Sequence, residues 1–224
     1  YVSKFYPAGR QGTALGIFGA GNVGAAVTKF AAPFVMLALG WEAVAQIWAG
    51  ALLIIALGFF LLTRDEPQLV ARRRSGEKAA AAWMQLTPLK DLRVWRFALY
   101  YFFVFGGFVA LALWLPHYLT GAYGVGIGVA GMLAAAYSIP GSLFRVFGGW
   151  LSDKIGARKV MYLTFAISVI CTFILSYPAT AYVVDGIEGP IRFRLAISLP
   201  VFTALVFVLG FAMSLGKAAV YKHI

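Results

Sequence analysis

Apolar residues run almost without interruption through six stretches of the chain, roughly 13–39, 44–62, 95–119, 127–151, 159–180 and 195–221. A bilayer-spanning helix needs about 20 such residues, so each stretch predicts one crossing, and the chain reads as an all-α membrane protein. The second and third crossings are separated by the one long polar stretch, TRDEPQLVARRRSGEKAAAAWMQLTPLKDLRVWR, which carries eight Lys/Arg. The pattern divides the chain into helices within 1–62, a linker over 63–94 and further helices within 95–224.

Composition agrees with the pattern. Of the 224 residues 62% are hydrophobic and 12% charged, with a mean hydropathy of +0.84, against roughly 25% charged residues in an ordinary soluble domain. A net charge of +11 would elsewhere suggest nucleic acid. Here the basic residues cluster in short segments between apolar runs, where they set orientation, so the expected surroundings are membrane lipid and no nucleic acid. Lys4, Arg10, the linker, Lys154, Arg158, Lys159 and Lys222 fall on one side and mark it as cytoplasmic. The opposite loops, GWEAVAQ, TGAYGVGIG and VVDGIEGPIRFR, hold only Arg192 and Arg194 as basic residues. Cys171 stands single within an apolar run and reads as a core residue. The chain starts at Tyr1 and stops at YKHI directly after an apolar run, so it reads as an internal piece of a longer protein, completed by further helices of the same chain.

Small and polar residues within the apolar runs follow a pattern of their own. In GIFGAGNVGAAVTKFAAP, Gly16 to Pro33, glycine weakens a helix, and Asn22 and Lys29 cost free energy to bury. Gly12, Gly16, Gly19, Asn22, Ala26, Lys29 and Pro33 follow steps of three and four, so they share one helix face. Ala134, Ser138, Gly141, Arg145, Gly148 and Ser152 make a second such stripe. Small residues let membrane helices approach closely. Arg145 lies eight residues before Asp153, about 12 Å into the membrane. An arginine there costs at least about 2.5 kcal/mol, which marks it as functional. Its planar guanidinium stays charged and suits a planar anion. Tyr101 and Phe105 are spaced i,i+4 and share a face. Lys29, two turns beyond Asn22, extends a positive path outward, and Lys217, one turn from Tyr221, lies toward the cytoplasmic mouth.

The loop GGWLSDKIGARK resembles the major facilitator loop signature, GxLxDRxGxRK, at Gly149, Leu151, Asp153, Lys154, Gly156, Arg158 and Lys159, with Lys where Arg is commoner. GAGNVGAAVTKFAAP resembles the glycine-rich fifth-helix signature of the nitrate/nitrite porter family within that superfamily. SIPGSLFRVFGGWLSDKIGARK and GKAAVYKHI resemble its eighth and tenth helices. The resemblance covers nearly the whole chain and makes it helices 5 to 10 of twelve, with a cytoplasmic linker between two six-helix halves. It implies a secondary transporter of nitrate, and of nitrite too, in a prokaryotic inner membrane, working by alternating access and monomeric when full length. It implies that Arg145, Asn22, Tyr101 and Phe105 bind substrate. Gly19, Gly21 and Gly24 would pack the fifth helix closely, and Gly149, Asp153 and Arg158 would latch the cytoplasmic helix ends. The family's second substrate arginine, on helix 2, and its second glycine signature, on helix 11, fall outside this chain.

No GxxxxGK[ST] motif occurs, so ATP hydrolysis is not expected. One cysteine and two distant histidines form no metal cluster or catalytic pair, so no cofactor, metal or enzymatic activity is expected. All eight carboxylates lie in loops or at helix ends, which leaves no acid to carry a proton inside the membrane and favours exchange of nitrate for nitrite. Against that, GKAAVYKH resembles the proton-coupled branch. Exchange and proton symport both stay open, as do a carrier for another small anion or solute and a non-transporting nitrate sensor with the same site.

Overall fold

The computed structural model describes residues 6–63, 74–76, 82–177 and 179–223. Lys4 and residues 64–73 and 77–81 of the 63–94 linker lie outside the described residues. Six helical stretches among those described are long and apolar enough to cross a membrane: Gln11–Leu39, Trp41–Leu62, Leu92–Tyr123, Ile127–Ile155, Ala157–Leu175 and Leu199–Tyr221. Each overlaps one expected crossing.

Three of the six are interrupted. The first consists of α1 (Gln11–Gly19), a 3-10 turn at Ala20–Val23 and α2 (Gly24–Leu39); the second is α3 (Trp41–Leu62). The third runs through α4 (Leu92–Tyr101), a π-helical segment at Phe102–Gly107 and α5 (Phe108–Tyr123). In the fourth, α6 (Ile127–Leu143) and α7 (Arg145–Ile155) meet at Phe144, whose φ of −70° and ψ of 0° leave the helical range. Pro140 explains the weakness there: it has no amide hydrogen to donate to Ala136, and its ring crowds the preceding turn. Gly156, at φ +91°, makes the sharp corner into α8 (Ala157–Leu175) that residues with a side chain rarely adopt.

The expected crossings 159–180 and 195–221 are both too long. Between them stands an antiparallel hairpin, β1 (Thr180–Gly186) and β2 (Gly189–Leu195), so α8 ends at Leu175 and α9 spans Leu199–His223. Its register runs from Thr180↔Leu195 to Gly186↔Gly189. Ile191, Phe193 and Leu195 alternate with Arg192 and Arg194, a period of two that suits a strand, and Tyr182 stacks on Phe193 with ring centroids 5.2 Å apart. This hairpin is an addition to the all-helical expectation.

By contact the chain forms two units, Ala32–Arg96 and the pairing of Tyr1–Ala31 with Phe97–Ile224. In the first of these, α3 is apolar on every side and has no buried residue, as a helix ringed by lipid would be. The Asp91 carboxylate accepts from the Arg93 amide at 2.8 Å, and Trp95 Nε1 donates to the Leu89 carbonyl at 2.8 Å. In the other unit α9 packs against α8, α6 and α7. Phe108, Leu115, Tyr137, Leu209 and Met213 belong to one buried cluster, and Val104, Val160, Leu215 and Val220 to a second. Glycine permits the closeness: a Cβ on Gly210 would lie 2.5 Å from the Tyr137 carbonyl oxygen, and one on Gly148 would lie 2.6 Å from Leu215 Cα.

Candidate functional site

The two small-residue stripes face each other. Helix α1 packs along α7 in the opposite direction, so Gly12 meets Gly149 and Asp153 while Gly16 and Gly19 meet Arg145. A Cβ on Gly149 would collide with the Gly12 carbonyl oxygen, one on Gly16 would lie 2.5 Å from the Arg145 carbonyl oxygen, and one on Gly19 would collide with the Arg145 guanidinium. Farther along, Lys29 Nζ donates to Ser138 Oγ at 2.9 Å. Gly148 leaves the stripe and faces α9 instead. Gly21 and Gly24 also differ from the expectation, since a Cβ at either would meet no atom within 4 Å. At about 100° per residue they point roughly 200° and 140° away from Gly19, so the close seam belongs to Gly12, Gly16 and Gly19.

Asp153 closes one end of this seam. Its Oδ1 accepts from the Gly12 amide at 3.2 Å, and its Oδ2 accepts from the Thr13 amide at 2.9 Å and the Thr13 hydroxyl at 2.8 Å. Those amides belong to the first turn of α1, where backbone donors lack helical partners and the helix dipole is positive. Arg158 is turned elsewhere: Nε and Nη2 donate to Tyr162 Oη at 3.2 and 3.1 Å, one turn along α8. Asp153→Asn keeps the shape but removes the charge and one acceptor oxygen. It is expected to weaken the hold of α7 on α1 by about 1–2 kcal/mol, measured as a lower thermal midpoint of the complete purified protein. An unchanged midpoint would remove the capping role.

Arg145 is the first residue of α7, immediately after the break, and is 3% exposed. Nη1 donates to the Gly19 carbonyl at 3.4 Å, and the buried Nε has no hydrogen-bond partner. The guanidinium carbon lies 5.3 Å from the centroid of the Tyr221 ring. Tyr221 shares a 2.9 Å hydroxyl–hydroxyl hydrogen bond with Tyr101, whose ring stacks on Phe105 at 5.1 Å and 12°. The expected aromatic pair therefore does share a face, and the Arg145 charge acts on the Tyr101 hydroxyl. Asn22 sits half-buried in the 3-10 turn, three residues beyond the Gly19 carbonyl, and its side-chain amide has no hydrogen-bond partner among the described residues.

Lys217 differs from the position expected of it. Instead of lying toward a cytoplasmic mouth it is 0% exposed, and Nζ donates 2.9 Å to the carbonyl of Gly141, just before the α6–α7 break. Two contributors escaped the sequence reading. Ser142, two residues after Pro140, has a buried hydroxyl with no hydrogen-bond partner, and Phe108, one turn beyond Phe105, presents its ring to Lys217. The proline and the aromatic spacing were the available signals. Asn22, Phe105 and Arg145 each sit at a departure from regular α-helix. Such backbone survives in membrane helices where it is enclosed by protein or lines a polar path, and it is common at binding sites.

The whole of the chain, residues 1–224, matches the family model described as Major Facilitator Superfamily. The chain belongs to the major facilitator superfamily. Among curated proteins, this facilitator chain is 40% identical to a probable nitrate/nitrite antiporter, NarK1, of Thermus thermophilus, in a match covering 99% of the chain and 52% of that protein. It is 33% identical to a nitrite extrusion protein of Bacillus subtilis, covering 80% of the chain and 44% of that protein. A probable nitrate/nitrite transporter, NarK2, of Mycobacterium tuberculosis is 32% identical, with 77% and 42% covered. The chain spans about half the length of the curated relatives it matches. No solved structure matches it significantly. With six apolar crossings and bacterial relatives, this facilitator is a multi-pass protein of a prokaryotic plasma membrane.

Proposed function

We propose that the complete protein is a secondary carrier of nitrate, and also of nitrite, that works by alternating access and without enzymatic chemistry. The observation that carries this reading is Arg145, buried to 3% exposure within a crossing, its Nε unpartnered and Nη1 held by one long bond of 3.4 Å. A buried, under-paired guanidinium is costly, and a planar monoanion supplies both the missing charge and the missing acceptors. Two nitrate oxygens match the fork of the guanidinium, and the Asn22 amide can donate to the third. The stacked Tyr101 and Phe105 rings and the Tyr221 ring wall the guanidinium. Nitrite offers two of the same oxygens, so the same site takes either anion. The relative named as a nitrate/nitrite antiporter supports this choice of substrate.

In this reading the α1–α7 seam is the moving joint. Glycine backbones on both sides let the helices shift without side chains locking, and the bonds from Asp153 to Gly12 and Thr13 hold one of the two positions. Nitrate uptake by the complete protein in liposomes tests the proposal. Saturation by a different anion would replace the substrate, and nitrate binding without transport would make the protein a sensor.

Orientation has its own test. Residues 63–94 are placed on the cytoplasmic side, so a cysteine introduced as Ser75→Cys is expected to react with membrane-impermeant maleimide only in inside-out vesicles. The native Cys171 is buried and adds little background. Labelling from outside intact cells would invert the topology.

A further inference from the structure

Lys217 takes no part in the anion contacts described above, yet it is a fully enclosed cation at 0% exposure. Its Nζ donates to the Gly141 carbonyl at 2.9 Å and lies 3.0 Å from the centroid of the Phe108 ring and 5.9 Å from that of Phe105. The charges acting on it come from Arg145 on α7 and Lys29 on α2, both cations. Tyr137 on α6 is committed to Met213 Sδ at 3.3 Å, and Tyr101 beside the π-helical segment is committed to Tyr221. Helix α1 carries no ionisable side chain, and Thr164 on α8 donates to the Ala212 carbonyl. All eight carboxylates of the chain stand in loops or at helix ends.

The partners of Lys217 suit an amine in either protonation state. A carbonyl accepts equally from an amine or an ammonium, and no acid among the described residues fixes the charge. An ammonium here has two like charges nearby, whereas a monoanion seated on Arg145 offsets them. Occupation of the anion site and protonation of Lys217 therefore favour each other, and that coupling is reciprocal. We propose that Lys217 is the proton-carrying residue of this carrier, taking up a proton as the anion binds and giving it back when the anion leaves. The inference rests on the nitrate reading above. On the loading face the Nζ lone pair accepts a proton from hydronium, leaving water and an ammonium. On the releasing face the ammonium returns that proton to water and recovers its lone pair. One proton and one nitrate cross together while Arg145 keeps its charge throughout. Counting carboxylates alone favoured exchange, but a buried amine supplies what that count lacked.

The test is calorimetry of nitrate binding to the complete protein in buffers of different ionisation enthalpy, across about pH 5 to 9, which counts protons taken up per anion. The wild type is expected to reach a maximum near one proton per nitrate. Lys217→Arg, with a fixed charge, and Lys217→Met, with none, are expected to show no linked proton and no accumulation of nitrate driven by an inward proton gradient into anion-free liposomes. Nitrate binding by the wild type without proton uptake anywhere in that range overturns the proposal without touching the nitrate reading, and so does proton uptake that survives in both variants. The wild-type count needs no substitution, so a variant that fails to fold does not shelter the idea. Absence of nitrate binding by the wild type overturns the nitrate reading and this inference with it.

Discussion

Arg145→Lys is expected to weaken nitrate binding roughly ten- to hundredfold or more and to leave almost no uptake, although the charge is retained. The guanidinium emerges at the first turn of α7, reaches the Gly19 carbonyl with Nη1 and keeps Nε free within a buried setting beside the Tyr221 ring. A lysine there presents one compact ammonium in place of a planar fork, so it cannot hold the backbone carbonyl and two anion oxygens in one plane. Losing one charge-assisted hydrogen bond costs about 1.5–3 kcal/mol, which sets the expected factor. If Arg145 merely reached for headgroups, lysine would serve as well, because both chains extend a charge along an apolar stem. Nitrate affinity and uptake of the Lys and Ala variants, compared at matched membrane expression, decide the matter. Near-normal values for Arg145→Lys would remove the two-pronged role and with it the residue-level case for a nitrate site.

Gly149→Ala is expected to abolish uptake by a different route. The added methyl would collide with the Gly12 carbonyl oxygen and lie 2.6 Å from its carbon and 3.1 Å from the Thr13 nitrogen. Every one of those atoms is backbone, so nothing can swing aside as a flexible side chain would. Overpacking in ordinary cores costs about 1–3 kcal/mol, and this site, backbone against backbone, belongs at the upper end. The same shift would strain the Asp153 bonds to Gly12 and Thr13, one turn away along α7. Gly21→Ala, where no atom lies within 4 Å, is the control and is expected to fold and transport nearly normally. The readouts are thermal midpoint and uptake rate of the complete protein. Normal stability and transport in Gly149→Ala would show that the glycine seam is not needed for the cycle.

Hydropathy placed all six crossings because bilayer thickness sets how long an apolar run must be, and steps of three and four placed the seam because a helix repeats its face at that interval. That is why Gly12, Gly16 and Gly19 could be paired in advance with a stripe containing Arg145. Gly21 and Gly24 entered through their likeness to a family signature, not through spacing, and they fell outside the seam. Depth proved harder to read than face. Lys217 lies near the end of an apolar run, which suggested a mouth, but the end of a run does not reveal how neighbouring helices cover it. The break at Phe144 and the π-helical segment at Phe102–Gly107 depend on which carbonyls find other partners, such as Gly141 with Lys217, and periodicity carries no record of that. The hairpin was legible in the alternation of IRFRL, but its arginines drew attention to orientation instead.

The π-helical segment carries one further consequence, for how this chain is lined up with others. Phe102–Gly107 accommodates an extra residue within an otherwise continuous crossing. Deleting one residue there would restore a regular α-helix and turn everything after it by about 100° relative to α4. Phe108, Ala112, Leu115 and Leu119, all buried now, would rotate away from the core, and Phe108 would leave Lys217. A one-residue gap in this stretch of an alignment would thus separate proteins whose letters agree on both sides but whose seventh helices present different faces to the substrate path.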